Sequence, residues 1–257
     1  MPLIGGNMYF WYDGKSSKDF GIVSVQIGSG MYEDTFVSSR TLTEVKMKNQ
    51  DESILQRIEE DVREFPLTIA FEKTFTTTDI DRVILWLFKD SYKPFYFEED
   101  INRIQYAMPS GDSSITHNGL KQGYITLTMR TNSSKIYSQK EITAVETVTA
   151  TAKTITYTNN GHVEVLPEIS IVKNGAGKVT IQNLDDDGGA IFEISKLANG
   201  EDIYLDSKRE LIETDIPGIY HYDDVIGEFP KLVVGTNRWK ITGACTIQIK
   251  YSEKFKF

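Results

Sequence analysis

Three consecutive aspartates closed by two glycines, in the stretch NLDDDGG at 183 to 189, make the passage of the sequence that most resembles chemistry. A calcium loop needs oxygen ligands at its first, third and fifth positions, a glycine at the sixth and a glutamate at the twelfth. Asn183, Asp185, Asp187 and Gly188 fit the first four of these requirements, but the twelfth residue is Ile194, and Glu193 comes one position early on a strand whose side chains alternate faces. The flanks KVTIQ and AIFEI read as strands rather than helices. Asp187-Gly188 suits a type I′ hairpin turn, in which both central residues take positive φ. The stretch is therefore expected to be an acidic hairpin tip, and no metal ligand is assigned.

The remaining candidate motifs lack essential parts. NGAGKVT at 174 to 180 approaches a phosphate-binding loop, yet Val172 stands where the first glycine belongs and Val179 where the magnesium-binding hydroxyl belongs. His117, His162 and His221 are isolated in sequence, without the spacing of a zinc site. No G-x-S-x-G elbow occurs, so no catalytic residue and no cofactor site is assigned. Asn237, Arg238 and Trp239 lie together in GTNRWKITG and admit two readings: an aromatic beside amide and guanidinium donors that contacts a glycan, or a core strand with Trp239 and Ile241 inward and Arg238 outward. Cys245, the only cysteine, lies in the alternating ACTIQI, where a small buried residue is expected, and it excludes an internal disulfide.

The elements that position these residues follow from periodicity. Two-residue alternation broken by Asp-Gly and Asn-Gly pairs dominates, with hairpin signals at Asp13-Gly14, Asn160-Gly161 and near Asn174-Gly175. One helix is expected at about 79 to 89, with Ile80, Val83, Ile84, Leu87 and Phe88 as its apolar stripe, Thr78 as cap and Asp81 completing a capping box. Leu85 and Trp86 fall outside that stripe, so either loops of the same domain or a neighbouring subunit must cover them. A Ser- and Thr-rich stretch at 131 to 152 reads as the crossing between domains 1–140 and 141–257, and nine or so short strands follow it. The fold class is mainly β: an N-terminal β-rich domain with one helix and a hairpin, then a jelly-roll type β-sandwich.

Composition bounds the partners. The 257 residues carry a net charge of −9, with 16 basic and 19 acidic residues in 1–140 and 12 basic and 18 acidic in 141–257, so neither half has a footprint for nucleic acid. No apolar run approaches the ~20 residues of a membrane-spanning helix, and MPLIGGNMYF lacks the pattern of a secretory signal.

Taken in order, these stretches resemble one family, the distal tail proteins (Dit) of siphophages that infect Gram-positive bacteria. FWYDGKSSKDFGI resembles the family's opening through Gly14, Ser17, Asp19, Phe20, Gly21 and Ile22. SSRTLTEVKM, FPLTIAF and IDRVILWLFKDSYKPFYFEED resemble its strand, helix and hairpin order, with Trp86, Leu87, Lys93 and Pro94 in place. NNGHVEVLPEISI, GKVTIQN, NGEDIYLD and GEFPKLVVGTNRWKITG resemble its galectin-like sandwich, the last through Phe229, Pro230, Leu232, Gly235, Asn237 and Gly243. The leading MPLIGGN is an extension before the usual start.

The resemblance implies a structural virion protein of the tail tip, not an enzyme. It implies a six-subunit ring closed by the N-terminal domains around the DNA channel. Its partners would be the major tail (tube) protein, the tail-associated lysin or tail fibre protein, and baseplate or receptor-binding proteins, with assembly in the bacterial host cytoplasm. The alternative is a carbohydrate-binding module for host cell-wall adhesion.

Overall fold

The computed structural model describes residues 9–25, 37–48, 50–186 and 188–256. The MPLIGGN extension and Asp187 lie outside them. The chain divides into two units, residues 1–137 with 256–257, and residues 138–255.

In the N-terminal unit the strands are β1 (Phe10–Tyr12), β2 (Lys15–Ser16), β3 (Ile22–Ser24), β4 (Arg40–Lys46), β5 (Ser53–Glu60), β6 (Glu64–Phe71), β7 (Lys93–Phe97), β8 (Gln105–His117), β9 (Gly123–Thr131) and β10 (Lys135–Tyr137), with helix α1 (Thr77–Leu87) between β6 and β7. Seven strands form an antiparallel sheet in the order β2-β1-β7-β8-β9-β6-β3. Asp13 and Gly14 both have positive φ, 51° and 73°, so the first Asp-Gly pair makes the type I′ turn its sequence demands between β1 and β2. Alternation on β6 buries Phe65, Leu67 and Ile69, which join Phe10, Tyr12, Phe95, Leu127, Met129 and three helix residues in one core.

Helix α1 begins two residues before the expected start. Thr76 caps it, accepting from the Asp79 amide at 3.3 Å while Asp79 returns to the Thr76 amide at 2.9 Å. The run TTTDID holds two overlapping capping boxes, Thr76 with Asp79 and Thr78 with Asp81, and the earlier one gains the longer helix. The buried stripe is Val83, Trp86 and Leu87, not the expected set: Ile84 and Phe88 face outward. Trp86 displaces them because its indole reaches aromatic partners on the sheet.

In the C-terminal unit the strands are β11 (Glu141–Ile142), β12 (Glu146–Val148), β13 (Lys153–Asn159), β14 (Glu168–Lys173), β15 (Gly177–Asn183), β16 (Ile191–Leu197), β17 (Asp202–Asp206), β18 (Leu211–Thr214), β19 (Val225–Gly227), β20 (Gly235–Thr242) and β21 (Cys245–Tyr251). One sheet has the order β11-β21-β14-β17-β18, with β12 also on β21; the other has β13-β20-β15-β16-β19. Inward side chains of both sheets, Ile169, Ile171, Leu205 and Ile249 from one and Val179, Ile181, Ile194 and Trp239 from the other, belong to one core. The unit is thus a two-sheet β structure, and the whole chain is mainly β, as its alternation requires.

Two expected hairpins are not hairpins. β14 and β15 belong to different sheets, so Asn174-Gly175 crosses from one sheet to the other. After Asn160-Gly161 the chain does not pair with β13, which pairs with β20; Val163 and Val165 bridge Lys254 and Leu232 instead. Gly161 serves close approach, because a Cβ there would sit 2.6 Å from the Lys254 carbonyl. KLVVG forms an isolated bridge through Leu232, and the ninth strand is VIG at β19.

Candidate assembly surfaces

The acidic stretch is consumed by its own neighbours. Arg238 places its guanidinium on Asp185 with Nη2 to Oδ1 at 2.7 Å and Nε to Oδ1 at 3.0 Å, and its main-chain N–H also donates to that carboxylate. The Arg238 side chain and amide hold the Asp185 carboxyl below its ordinary value. Asp186 faces Lys231 at 3.4 Å, which pushes the lysine pKa up. Asn183 is buried and directed into the core. The Gly189 amide returns to the Asp186 carbonyl at 2.8 Å, closing a turn in which Gly188 takes φ 84°. Lys178 of the phosphate-loop look-alike pairs with Glu193 at 2.9 Å.

The three residues of the glycan reading part company at β20, whose alternation puts Asn237 and Trp239 at 0% exposure and only Arg238 outside, as the core-strand reading has it. Trp239 packs edge-on against Tyr157 at 5.3 Å. Asn237 is fully engaged: its Oδ1 accepts from Val233 N–H and Asn183 Nδ2, and its Nδ2 donates to the Val233 and Gly235 carbonyls. The glycan reading of Asn237 and Trp239 is therefore corrected, since both side chains are packed against their own chain.

A buried polar centre went unmarked by any motif. His221 has Nε2 2.7 Å from Glu201 Oε1 and Nδ1 3.2 Å from Asp224 Oδ2. Burial pushes the Glu201 carboxyl up, but hydrogen bonds from the Thr214 hydroxyl, the Ala198 amide and His221 outweigh it, so the net shift is downward. The centre pins the segment before β19 onto β16 to β18. With Glu201 and His221 20 positions apart, no local spacing announced it.

On α1 the expected pair also separates. Trp86 is buried, stacked on Phe20 at 4.1 Å and Phe10 at 5.6 Å, with Nε1–H donating to the Tyr12 carbonyl at 2.8 Å. Its own domain covers it. Leu85 is 73% exposed and forms, with Ile84 and Phe88, an uncovered apolar row.

A larger surface is the β4–β5 ribbon, which among the described residues pairs only with itself. Every residue of β4 and all but the last of β5 are exposed. Leu42 stands opposite Ile58 and Val45 opposite Ile54, and with Met47 and Leu55 these residues are between 42% and 55% exposed. The base is tied down: Glu60 meets Lys135 and Arg40, and the Asp61 amide bonds the Ser39 carbonyl at 3.0 Å. A free two-stranded ribbon is marginal in water, and this one exposes apolar side chains on both faces, Leu42, Leu55 and Ile58 on one and Val45 and Ile54 on the other.

Both halves of the chain match known families: residues 6–133 fit a phage tail protein N-terminal domain and residues 136–251 a phage tail C-terminal domain. A relative in Bacillus subtilis (strain 168), the SPbeta prophage-derived uncharacterized protein YomH, is 31% identical over 253 residues, spanning 98% of this chain and 100% of that protein. The fold is that of the SPP1 Dit (gp 19.1) protein, described as a paradigm of hub adsorption apparatus in Gram-positive infecting phages, with TM-score 0.69 and 18% identity over 96% of this chain and 98% of that one. A chain of the phage P2 baseplate in its activated conformation with Ca aligns at TM-score 0.52 and 6% identity over 95% and 97%.

Proposed function

This chain belongs to the phage tail protein family, and on that premise we propose that it is a distal tail (Dit) protein that closes a six-subunit ring at the tail tip through its N-terminal domains. The observation that carries the reading is the β4–β5 ribbon, whose apolar side chains are exposed and which no other strand among the described residues pairs. Rings arise from heterologous contacts that close by rotation, and a ribbon projecting from one subunit onto the next is such a contact. Leu85, with Ile84 and Phe88, offers a second exposed apolar row on the same unit.

The ring would join the tail tube protein to the tail-associated lysin or fibre protein and carry baseplate or receptor-binding proteins, in a virion assembled in the host cytoplasm. The division between residues 137 and 138 suits a ring domain followed by a galectin-like domain that faces partners. The net charge of −9 suits a channel wall along which DNA slides, since phosphate capture needs clustered Lys and Arg. The role requires no catalysis and no cofactor.

Native mass spectrometry of the purified protein tests the reading. With a 29.2 kDa monomer, a closed ring weighs about 175 kDa, or twice that for two rings face to face. A phage deleted for the protein that still completes normal tail tips overturns it.

A further inference from the structure

Sheet edges are normally kept short, charged, bulged or interrupted by proline, because an open edge recruits another strand. Four strands at the margins of the C-terminal sheets follow the first of these rules: β11 has 2 residues, β12 and β19 have 3 each, and β18 has 4. β13 does not. It is the 7-residue edge of its sheet, KTITYTN, with no proline, an unbroken register against β20 and its one charge at the first position.

The direction of its free groups is settled by its neighbour. The Arg238 carbonyl accepts from Leu184 N–H at 2.9 Å, on the far side of β20 from β13, so Asn237 and Trp239 direct their main-chain groups to Tyr157 and Ile155. Thr154, Thr156 and Thr158 consequently present theirs to the open side. The Thr158 carbonyl agrees, accepting the Tyr251 hydroxyl of the opposite sheet at 3.1 Å.

Along this edge runs a groove of about 480 Å³, lined by Thr156, Tyr157 and Thr158 on one side and by Glu141, Thr143 and Glu146 on the other. The Tyr157 hydroxyl, on a side chain only 6% exposed, has no hydrogen-bond partner among the described residues. Burial pushes its pKa up.

We propose that this groove binds an extended peptide of a partner protein by strand addition, the peptide main chain pairing with Thr154, Thr156 and the Thr158 amide as a further strand beside β13. The occupant carries lysine or arginine, because the charged groove residues are both acidic, Glu141 and Glu146, the latter shared with Lys153 at 2.8 Å. A second copy of β13 would bring the same two glutamates against them and is disfavoured. The site is independent of the ring contacts on the N-terminal unit.

Hydrogen exchange of the full-length protein, read by mass spectrometry, tests this with a peptide of alternating valine and threonine between terminal lysines, at millimolar concentration. Binding slows exchange of the Thr156 and Thr158 amides at least about tenfold, and the same peptide N-methylated at alternate amides has no effect. No slowing with the first peptide, or equal slowing with the second, overturns the proposal. Thr156→Pro removes an N–H that β20 does not use, so it leaves the melting temperature within a few degrees and abolishes peptide protection; retained protection overturns strand addition. Glu141→Gln weakens binding, and unchanged affinity overturns the basic occupant. Protection of β13 that is present without peptide and vanishes on dilution assigns the edge to a second copy, and also overturns the proposal.

Discussion

Asn183 donates its side-chain amide to Asn237 Oδ1 at 2.9 Å inside the sandwich core, and that oxygen also accepts the Val233 amide at 2.8 Å. Two polar side chains thereby join β15, β20 and the segment before β20, and every donor and acceptor of Asn237 is used. Buried amides without such partners are costly.

Asn237→Asp places a second acceptor where Nδ2 now donates to the Val233 and Gly235 carbonyls. We expect a loss of ~2–4 kcal/mol in unfolding free energy by urea titration, the range for a buried polar group left facing its like. A loss no larger than that of an exposed substitution, such as Arg238→Gln, would remove the network from the account of stability.

Trp86→Ala should cost ~3–5 kcal/mol, because it opens a cavity among Phe10, Phe20 and Tyr12. Trp86→Phe keeps much of the packing but leaves the Tyr12 carbonyl without its donor, for ~1–3 kcal/mol. Denaturant titration monitored by near-UV circular dichroism separates the two. Equal effects would assign the residue's role to volume alone.

The contrast between Trp86 and Leu85 also shows how far the sequence could be read. Periodicity located the helix and its approximate ends, but Val83 and Leu87 fit a stripe with Ile84 and Phe88 as well as one with Trp86. The sheet's aromatic partners decided between them, and those lie more than 60 positions away in sequence. Asp13-Gly14 made its hairpin because β1 and β2 share a sheet, whereas Asn174-Gly175, with similar local chemistry, crosses between sheets. Turn chemistry specifies a reversal and not which strand receives the chain. Asn237, Arg238 and Trp239 admitted a glycan reading and a core-strand reading, and the two-residue period, which puts Arg238 and Trp239 on opposite faces, decided for the strand. His221 and Glu201 meet only through tertiary packing and left no local trace.

Acid should weaken the C-terminal unit through Glu201, whose carboxyl pKa lies below its ordinary value in the folded protein. A depressed folded pKa means that the stabilisation is present above the unfolded carboxylate value, ~4.3, and is lost as pH falls through the lower folded value. Asp224 acts in the same sense, its pKa lowered chiefly by Lys196 and also by His221. Unfolding free energy measured from pH 6 to pH 3 should fall, and Glu201→Gln should shallow that fall while lowering stability at pH 6. A variant curve parallel to the parent's would exclude Glu201 from the acid limb.

The buried Gln105, 1% exposed, has neither amide atom hydrogen-bonded among the described residues. Replacing an unsatisfied buried amide by an apolar side chain of similar volume removes a desolvation cost without creating a cavity. Gln105→Leu should therefore raise the midpoint of thermal unfolding, by an amount corresponding to ~1 kcal/mol. A lowered midpoint would mean that the amide has a partner worth more than the leucine side chain.

Assembly and folding can be separated on the ribbon. Leu42 and Ile58 oppose each other across β4 and β5, both about half exposed, and neither belongs to the N-terminal core. Leu42→Asp with Ile58→Asp puts like charges opposite one another on a surface that water already reaches, so the cost to the folded monomer should be ~1 kcal/mol or less. If the ribbon seats on a neighbouring subunit, the same pair of carboxylates would be buried unpaired at every contact, which an interface does not tolerate. The parent should then give a species near 175 kDa and the double variant a 29.2 kDa monomer with an unchanged circular dichroism spectrum. Leu85→Glu tests the helix row alone and should weaken the ring less, since it removes a single side chain. A double variant that keeps the parent's mass would move the ring contact away from the ribbon, to the outer row of α1 or to another surface.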